Sequence, residues 1–272
     1  MTRLHGLRRN AGMLLSAFAG VLFMSTVSAP LVATAAATKP SIVLVHGAWA
    51  DGSSWNGVIK GLHRGGYTVY APPNPLRGVR SDAASLAAFL KTVAGPVTLV
   101  GHSYGGSVIS VAAAGNKNVK ALVYVDAFVP DQGDSCLSLL ASGPPPPKDL
   151  FLPVPFATAT GGDADVYLNP KYYGVVFASD VPASISSIMA ITQRPLTASA
   201  LHEKAPAAEG WKTLPSWYVL GDLDQVIPPA IQLRRARRAK SHITRVEGAH
   251  PSMIEHPEAT VAAIVAADRS TK

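Results

Sequence analysis

A serine lies at the centre of a glycine-rich stretch that follows an apolar run. The segment VTLVGHSYGGSVIS, residues 97–110, has the pattern G-x-S-x-G from Gly101 to Gly105. Glycines inside regular structure cost stability, so this concentration of them indicates a backbone that needs close packing or unusual torsions. A strand before the serine and a helix after it would form a sharp turn that presents the hydroxyl at the carboxyl end of a sheet. The spacing therefore makes Ser103 a candidate nucleophile.

The predicted partners of this serine are an acid and a histidine further along the chain. A serine hydroxyl becomes reactive when an oriented base takes its proton. The segments LGDLDQVIPP and EGAHPSMIEHPE each follow a predicted strand. Because the order in such folds is serine, acid, histidine, Asp224 and His250 are the predicted acid and base. Two alternatives for the acid stay open, Asp222 in the same loop and Asp126 at the end of the strand ALVYV.

Two backbone amides are predicted to stabilise the negative oxygen that forms when a serine attacks a carbonyl. The amide of Tyr104 directly follows the serine at the start of a predicted helix. The amide of Ala48 follows Gly47 in the segment HGAWADGSSW, after the first predicted strand. Donors in these two positions form an oxyanion hole. This chemistry needs no metal and no organic cofactor, and none is predicted.

Strands and helices alternate along most of the chain. Apolar runs at 41–45, 97–100 and 216–220 predict buried strands, and helical stretches separate them. Strands that are apolar throughout are typical of a parallel sheet covered by helices on both faces. The sequence therefore predicts an α/β fold, in which the acid loop, the histidine loop and the serine turn share one edge of the sheet.

The alternation stops after Pro130. The following segment contains GPPPPK, LPVP and GGDAD and shows no clear strand pattern, so we interpret it as an inserted, mostly helical cap. The predicted organisation is a core in two parts, 38–130 and 214–272, with the cap at 131–213. We expect the cap to supply an apolar pocket with Trp49 and Met253 as lining residues.

Residues 1–37 have the order of a secretory signal. Three arginines within the first nine residues precede an uncharged, largely apolar stretch and then the small-residue run ATAAAT. The alternative is a retained membrane anchor, because the uncharged stretch is long enough to span a bilayer. We expect cleavage around residues 35–37, and therefore a secreted protein, extracellular or periplasmic, without stable membrane insertion.

The composition excludes several classes of protein. The chain has 272 residues, 48% hydrophobic and 15% charged, which is typical of a globular protein and not of a disordered one. The single cysteine, Cys136, excludes an intrachain disulfide framework. The formal charge is +7, but the basic run RRARRAK at 234–240 has no accompanying aromatic residues or groove-reading motif, so no nucleic-acid partner is predicted. The oligomeric state stays open.

The motifs resemble those of the α/β-hydrolases. They are similar to the group that holds plant methyl esterases, hydroxynitrile lyases and bacterial esterases, including pyrethroid-hydrolysing ones. The matching stretches are VLVHGAW, LVGHSYGG, VYVDAFVPD, LGDLDQVIPP and GAHPSMIEHP. The resemblance implies an α/β-hydrolase fold, a triad of Ser103, His250 and Asp224, and oxyanion donors at Ala48 and Tyr104.

Two departures from the relatives narrow the expected activity. The related lyases carry a lysine directly after the catalytic histidine, where this chain has Pro251, and related epoxide hydrolases and dehalogenases use an aspartate where it has Ser103. We therefore expect a serine esterase that cleaves carboxylic esters of small to medium apolar molecules through an acyl-enzyme. The alternatives are a hydroxynitrile-lyase-like or cofactor-free peroxidase activity on the same triad, and a non-catalytic ligand-binding protein on the same fold.

Overall fold

The structure is a computed structural model of the chain. It describes residues 39–140, 145, 147–207 and 209–271. The predicted signal peptide, residues 1–37, lies outside the described residues. Within the described ranges, no helix combines the length and the apolar character that a membrane crossing needs.

A six-stranded parallel sheet forms the centre of the described chain. Its strands, in the order in which they pair across the sheet, are β2 (Val69–Tyr70), β1 (Ser41–Val45), β3 (Val97–His102), β4 (Val119–Val125), β8 (Ser216–Gly221) and β9 (His242–Val246). Because all neighbours are parallel, the carboxyl ends of the strands meet at one edge. The predicted α/β fold is confirmed.

Helices cover both faces of this sheet. The helices of the described residues are α1 (Asn56–Arg64), α2 (Val79–Leu90), α3 (Tyr104–Ala112), α4 (Cys136–Leu140), α5 (Pro170–Tyr172), α6 (Ala183–Thr192), α7 (Ala198–His202), α8 (Pro229–Arg238) and α9 (Pro257–Ser270). Successive side chains of a strand point to opposite faces. In β1, Val43 and Val45 therefore pack in the layer that holds α2, α3 and α8, while Ile42 and Leu44 pack in the layer of α1 and α9.

The segment between β4 and β8 contains a second sheet, so the prediction of a mostly helical cap is wrong in this respect. Its antiparallel strands are β5 (Phe151–Thr158), β6 (Gly161–Leu168) and β7 (Leu196–Thr197). Pro153 and Pro155 lie within β5, where proline ordinarily argues against a strand. They are accommodated because β5 is the edge strand of this sheet and pairs only with β6. The predicted domain boundaries themselves stay predictions.

Candidate active site

Ser103 occupies a strained turn between β3 and α3. Its backbone angles, φ 52° and ψ −122°, lie in a region that non-glycine residues rarely adopt. The close approach of strand and helix explains the flanking glycines: a Cβ at Gly101 would lie 2.7 Å from the Gly105 carbonyl oxygen, and a Cβ at Gly105 would overlap the Val45 carbonyl oxygen. This is the local geometry that presents a serine hydroxyl at the edge of the sheet.

The structure brings Ser103, His250 and Asp224 together, and we call these three residues the candidate triad. Ser103 Oγ lies 2.8 Å from His250 Nε2, and His250 Nδ1 lies 2.8 Å from Asp224 Oδ2. Because a carboxylate only accepts hydrogen bonds, Nδ1 carries the ring proton and Nε2 is left to accept from the serine hydroxyl. The two loops that follow β8 and β9 supply the acid and the histidine, as their place at the sheet edge predicts.

Asp224 is held by three further donors. Its Oδ1 accepts from the amides of Val226 at 2.7 Å and Ile227 at 2.9 Å, and its Oδ2 accepts from Gln232 Nε2 at 2.7 Å. These bonds hold the carboxylate where its Oδ2 accepts from His250 Nδ1. Gln232 is fully buried in α8, and it was not predicted from the sequence. The sequence does contain one signal for it: a single side-chain amide at a core-facing position of a basic amphipathic helix.

The site is buried, and its burial shifts the pKa values of its members. Burial lowers the pKa of His250 to about 3, so the ring is neutral across the physiological range. Burial raises the pKa of the Asp224 carboxyl, while the hydrogen bonds from Ile227, Val226 and Gln232 oppose that shift by stabilising the carboxylate. A neutral imidazole with an accepting Nε2 is the state that a general base requires.

The two alternative acids, Asp126 and Asp222, are hydrogen-bonded to groups other than His250. Asp126 is fully buried, and it accepts from the Gly221 amide at 2.7 Å and from the Ser252 hydroxyl at 2.5 Å. Asp222 is directed to the protein surface, where it pairs with Arg245, whose Nε lies 2.9 Å from its Oδ1. Of the three aspartates considered from sequence, Asp224 is the one that the structure hydrogen-bonds to His250.

The two predicted oxyanion amides belong to segments that adjoin the serine. As the first residue of α3, Tyr104 has an amide with no acceptor inside the helix, at the positive end of the helix dipole. The turn after β1 approaches the serine closely, since a Cβ at Gly47 would lie 2.6 Å from Ser103 Cβ. The Ala48 amide in that turn has no hydrogen-bond partner among the described residues.

His46 and Asn74 fix the turn that carries Ala48. The backbone amide of Asn74 donates to His46 Nε2 at 3.0 Å, and the side-chain Nδ2 of Asn74 donates to the His46 carbonyl at 2.9 Å. His46 Nδ1 then donates to the Gly47 carbonyl at 2.9 Å. Nothing in the local sequence links Asn74 to a residue 28 positions earlier, so the sequence does not identify its role.

Trp49 joins the core to the cap. Its Nε1 donates to the Val166 carbonyl in β6 at 2.9 Å, and its carbonyl accepts from Tyr173 at 2.6 Å. The cavity beside it measures about 10 Å³, which is too little for substrate. Its predicted role in a substrate pocket stays a prediction.

Met253 lies in the layer of α1 and α9, and its predicted role as a substrate-binding residue stays a prediction. Its side chain is fully buried and packs with Trp55 and Val58 in the layer of α1 and α9. The apolar residue after the histidine loop is used to fill this layer, so it is part of the core.

The fold and this geometry define a hydrolase of the α/β class. A model of the alpha/beta hydrolase family matches residues 42–263, and the chain belongs to this family. The resemblance seen in the sequence motifs is thereby confirmed. Among the described residues, no group of three or more His, Cys, Asp or Glu side chains is arranged to hold a metal ion.

Individual relatives are similar over different lengths. The carbendazim hydrolyzing esterase of Nocardioides sp. (strain SG-4G) is 38% identical over 119 residues, which are 39% of this chain and about half, 49%, of that protein. The crystal structure of a pyrethroid hydrolase from Sphingobium faniae JZ-2 matches 86% of this chain and 98% of its own, with a TM-score of 0.70 and 21% identity. The crystal structure of polyneuridine aldehyde esterase matches 84% of this chain and 99% of its own, with a TM-score of 0.73 and 16% identity.

Proposed function

We propose that this protein is a secreted serine esterase that hydrolyses carboxylic esters of small to medium apolar molecules. The observation that carries the proposal is the continuous hydrogen-bond chain from Ser103 Oγ through His250 to Asp224. The Tyr104 amide directly follows Ser103, and the turn that carries the Ala48 amide approaches Ser103 closely. The names of the relatives, a carbendazim hydrolyzing esterase and a pyrethroid hydrolase, support the ester class.

In the first half-reaction, Ser103 Oγ attacks the ester carbonyl carbon while His250 Nε2 takes the hydroxyl proton. Asp224 keeps the ring in the required tautomer and stabilises the imidazolium that forms. The amides of Ala48 and Tyr104 donate to the oxygen that becomes negative. The imidazolium then gives its proton to the departing alcohol, and the acyl group stays on the serine.

Water completes the cycle. His250 takes a proton from a water molecule, the resulting hydroxide attacks the acyl carbonyl carbon, and the proton returns to Ser103 Oγ as the carboxylic acid departs. The same two amides serve the second oxyanion. None of these steps requires a metal or an organic cofactor.

The cap must move for a substrate to enter. Ser103 is only 3% exposed and His250 is fully buried. Phe177, in a π-helical turn at Tyr173–Phe177 of the cap, packs edge-on against the His250 ring at a centroid distance of 5.1 Å. An enclosure of aromatic side chains favours substrates with an apolar body. It also excludes water, which strengthens the hydrogen bonds inside the site.

The test is turnover of p-nitrophenyl acetate, butyrate and octanoate by the wild type and by Ser103→Ala. We expect turnover by the wild type and a loss of about 10⁴-fold or more in kcat on substitution. Ser107→Ala is the matched control, because Ser107 is a buried serine of α3, four residues after Ser103. A serine-reactive phosphonate should label the peptide that contains Ser103, as mass mapping would reveal. Unchanged turnover in Ser103→Ala, or a label on another residue, would overturn the proposal.

The export of the protein is tested separately. The order of charged, apolar and small residues in positions 1–37 supports a cleaved signal peptide. We expect protein recovered from the medium or periplasm to begin near residues 36–38, as N-terminal sequencing would show. Recovery of the full chain in the membrane fraction would favour the anchor instead.

A further inference from the structure

Trp49, the residue after the predicted oxyanion donor Ala48, has a strained backbone. Its φ is 58°, in the left-handed region, where a bulky side chain is an outlier. Such a conformation persists only where the surrounding structure holds it, and it occurs preferentially at functional sites. The groups that hold Trp49 therefore also bear on the Ala48 amide, one residue earlier in the chain.

The cap holds the peptide groups on both sides of the Trp49 Cα. The Trp49 amide donates to the Arg194 carbonyl at 2.8 Å, and the Trp49 carbonyl accepts from the Tyr173 hydroxyl at 2.6 Å. Both partners belong to the segment between β4 and β8. Because each of the two peptide groups is bonded to the cap, the cap fixes the backbone angles between them.

The side chain of Trp49 is bound to the same segment. Its Nε1 donates to the Val166 carbonyl in β6 at 2.9 Å. Its ring stacks on Phe151 of β5 at a centroid distance of 5.3 Å and meets the Phe177 ring edge-on at 6.3 Å. These contacts anchor the ring to the cap, so a shift of the cap would act on the Trp49 backbone through its side chain as well.

The part of the turn that precedes Ala48 is held by the core instead. Asn74 fixes it through two hydrogen bonds with His46. Ala48 therefore lies between a half of the turn that the core fixes and a half that the cap fixes. Displacement of the cap would leave the first half in place and would release Trp49 from its strained conformation.

We propose that Trp49 is a positioning residue through which the closed cap directs the Ala48 amide at the oxyanion. This inference rests on the proposed esterase function. When the cap is displaced to admit substrate, the strain at Trp49 is relieved and the Ala48 amide leaves its donating position. The Tyr104 amide stays in place, because α3 carries it. The oxyanion hole is therefore complete only after the cap has closed over the substrate.

The first test removes a single hydroxyl from the cap. In Tyr173→Phe the Trp49 carbonyl loses its donor while the aromatic ring is kept. We expect kcat for p-nitrophenyl butyrate to fall about 10- to 100-fold, because the donor is misplaced. KM should stay nearly unchanged, since the lost interaction is made in the transition state.

Tyr172→Phe is the matched control for this variant. The hydroxyl of Tyr172 donates to Asp149 Oδ1 at 2.6 Å and does not contact Trp49, so this variant should keep the wild-type kcat. A wild-type kcat in Tyr173→Phe, or an equal loss in Tyr172→Phe, would overturn the proposal.

The second test uses the backbone strain itself. Trp49→Ala and Trp49→Gly remove the same side-chain contacts, but only glycine adopts a positive φ without strain. For Trp49→Ala we expect a loss of about 100- to 1000-fold in kcat, that of a missing oxyanion donor. For Trp49→Gly we expect a loss at least about fivefold smaller. Circular dichroism melts establish that both variants fold. If Trp49 served packing alone, the glycine variant would lose at least as much as the alanine variant, and that result contradicts the proposal.

The third test reports on the oxyanion hole through an inhibitor, propyl trifluoromethyl ketone. Ser103 Oγ adds to its carbonyl carbon, the hydroxyl proton passes to His250, and the carbonyl oxygen becomes the anion that the two amides hold. The inhibition constant should rise in Tyr173→Phe by the factor by which kcat/KM falls. Equal inhibition of an active wild type and of Tyr173→Phe would refute the role of Trp49 and leave the proposed function standing. A wild type that neither hydrolyses esters nor binds the ketone would refute the proposed function, and this inference with it.

Discussion

The turn after β4 and the loop after β8 each carry a buried aspartate, and the two differ in what they hold. Asp126 follows directly on β4, while Asp224 lies three residues beyond the end of β8. Asp224 accepts from the ring of His250. Asp126 accepts instead from the backbone of Gly221 and from Ser252, two residues after the histidine.

The two aspartates therefore have different roles: Asp224 orients the base, and Asp126 holds the loop that carries the base. Two residues separate Asp224 from the end of β8, and Asp224 reaches the ring. Asp126 directly follows β4 with a positive φ of 45°. Burial raises the pKa of Asp126, and the nearby Asp224 charge raises it further. Asp126 joins the acid loop at Gly221 to the histidine loop at Ser252. We therefore treat it as a positioning residue.

The largest expected effect comes from Asp224→Asn. The asparagine amide nitrogen would face His250 Nδ1 and favour the tautomer in which Nε2 carries the proton, so the base could not accept from Ser103. Such a change costs about 10⁴-fold in kcat in serine hydrolases with this arrangement. Steady-state turnover of p-nitrophenyl butyrate measures it. A loss of less than about tenfold would mean that another group orients the histidine.

A smaller effect is expected from Asp126→Asn. Asp126 accepts from the Gly221 amide on one oxygen and from the amide and hydroxyl of Ser252 on the other. The asparagine retains only one accepting oxygen, so the loops of Gly221 and Ser252 would shift relative to each other. A displacement of about 1 Å at a reacting group costs on the order of 10²-fold. We expect a loss of about 10- to 100-fold, in kcat more than in KM, with no change in the pH profile.

Ser252→Ala supplies the check on this positioning role. Because the Ser252 hydroxyl donates to Asp126, the two substitutions act on the same contact. The double variant Asp126→Asn/Ser252→Ala should therefore lose less activity than the product of the two single losses. Multiplying losses would show that Asp126 acts through something other than Ser252. A loss for Asp126→Asn as large as that for Asp224→Asn would remove the distinction between the two aspartates.

The sequence predicted the sheet, the serine turn and the position of the acid because each has a local signature. Apolar runs, paired glycines and polar loops after strands are all readable over about ten residues. The choice among three aspartates depended on reach across the sheet edge, which no local pattern contains. Asp224 was predicted from the chain order and from its loop after a strand, and the structure supplies the hydrogen bond to His250.

The features that sequence analysis missed depend on distant partners. Asn74 matters through His46, and Gln232 matters through the carboxylate that it fixes. The hairpin of β5 and β6 was hidden because Pro153 and Pro155 are acceptable only on an edge strand, and the edge is a property of the assembled sheet.

The third prediction concerns the burial of His250, the base that Asp224 orients. Burial lowers the pKa of His250 to about 3, and only the neutral ring can take the Ser103 proton. Activity should therefore be lost only as the pH falls well below 6.5. Phe177→Ala removes the ring that covers His250, which raises this pKa and should move the acidic limb of kcat/KM upward. An unchanged limb would mean that another group covers the ring.

The smallest effect is expected from Asp222→Asn. Asp222 and Arg245 form an exposed ion pair, with their side chains 35% and 55% accessible, and such pairs contribute about 0–1 kcal/mol to stability. Turnover should stay at the wild-type level, and the unfolding free energy should change by less than about 1 kcal/mol. Arg245→Gln is the matched control, because it breaks the same pair from the other side. Asp222 lies only two residues from Asp224, so a loss of turnover in Asp222→Asn that Arg245→Gln does not share would move the acid from Asp224 to Asp222.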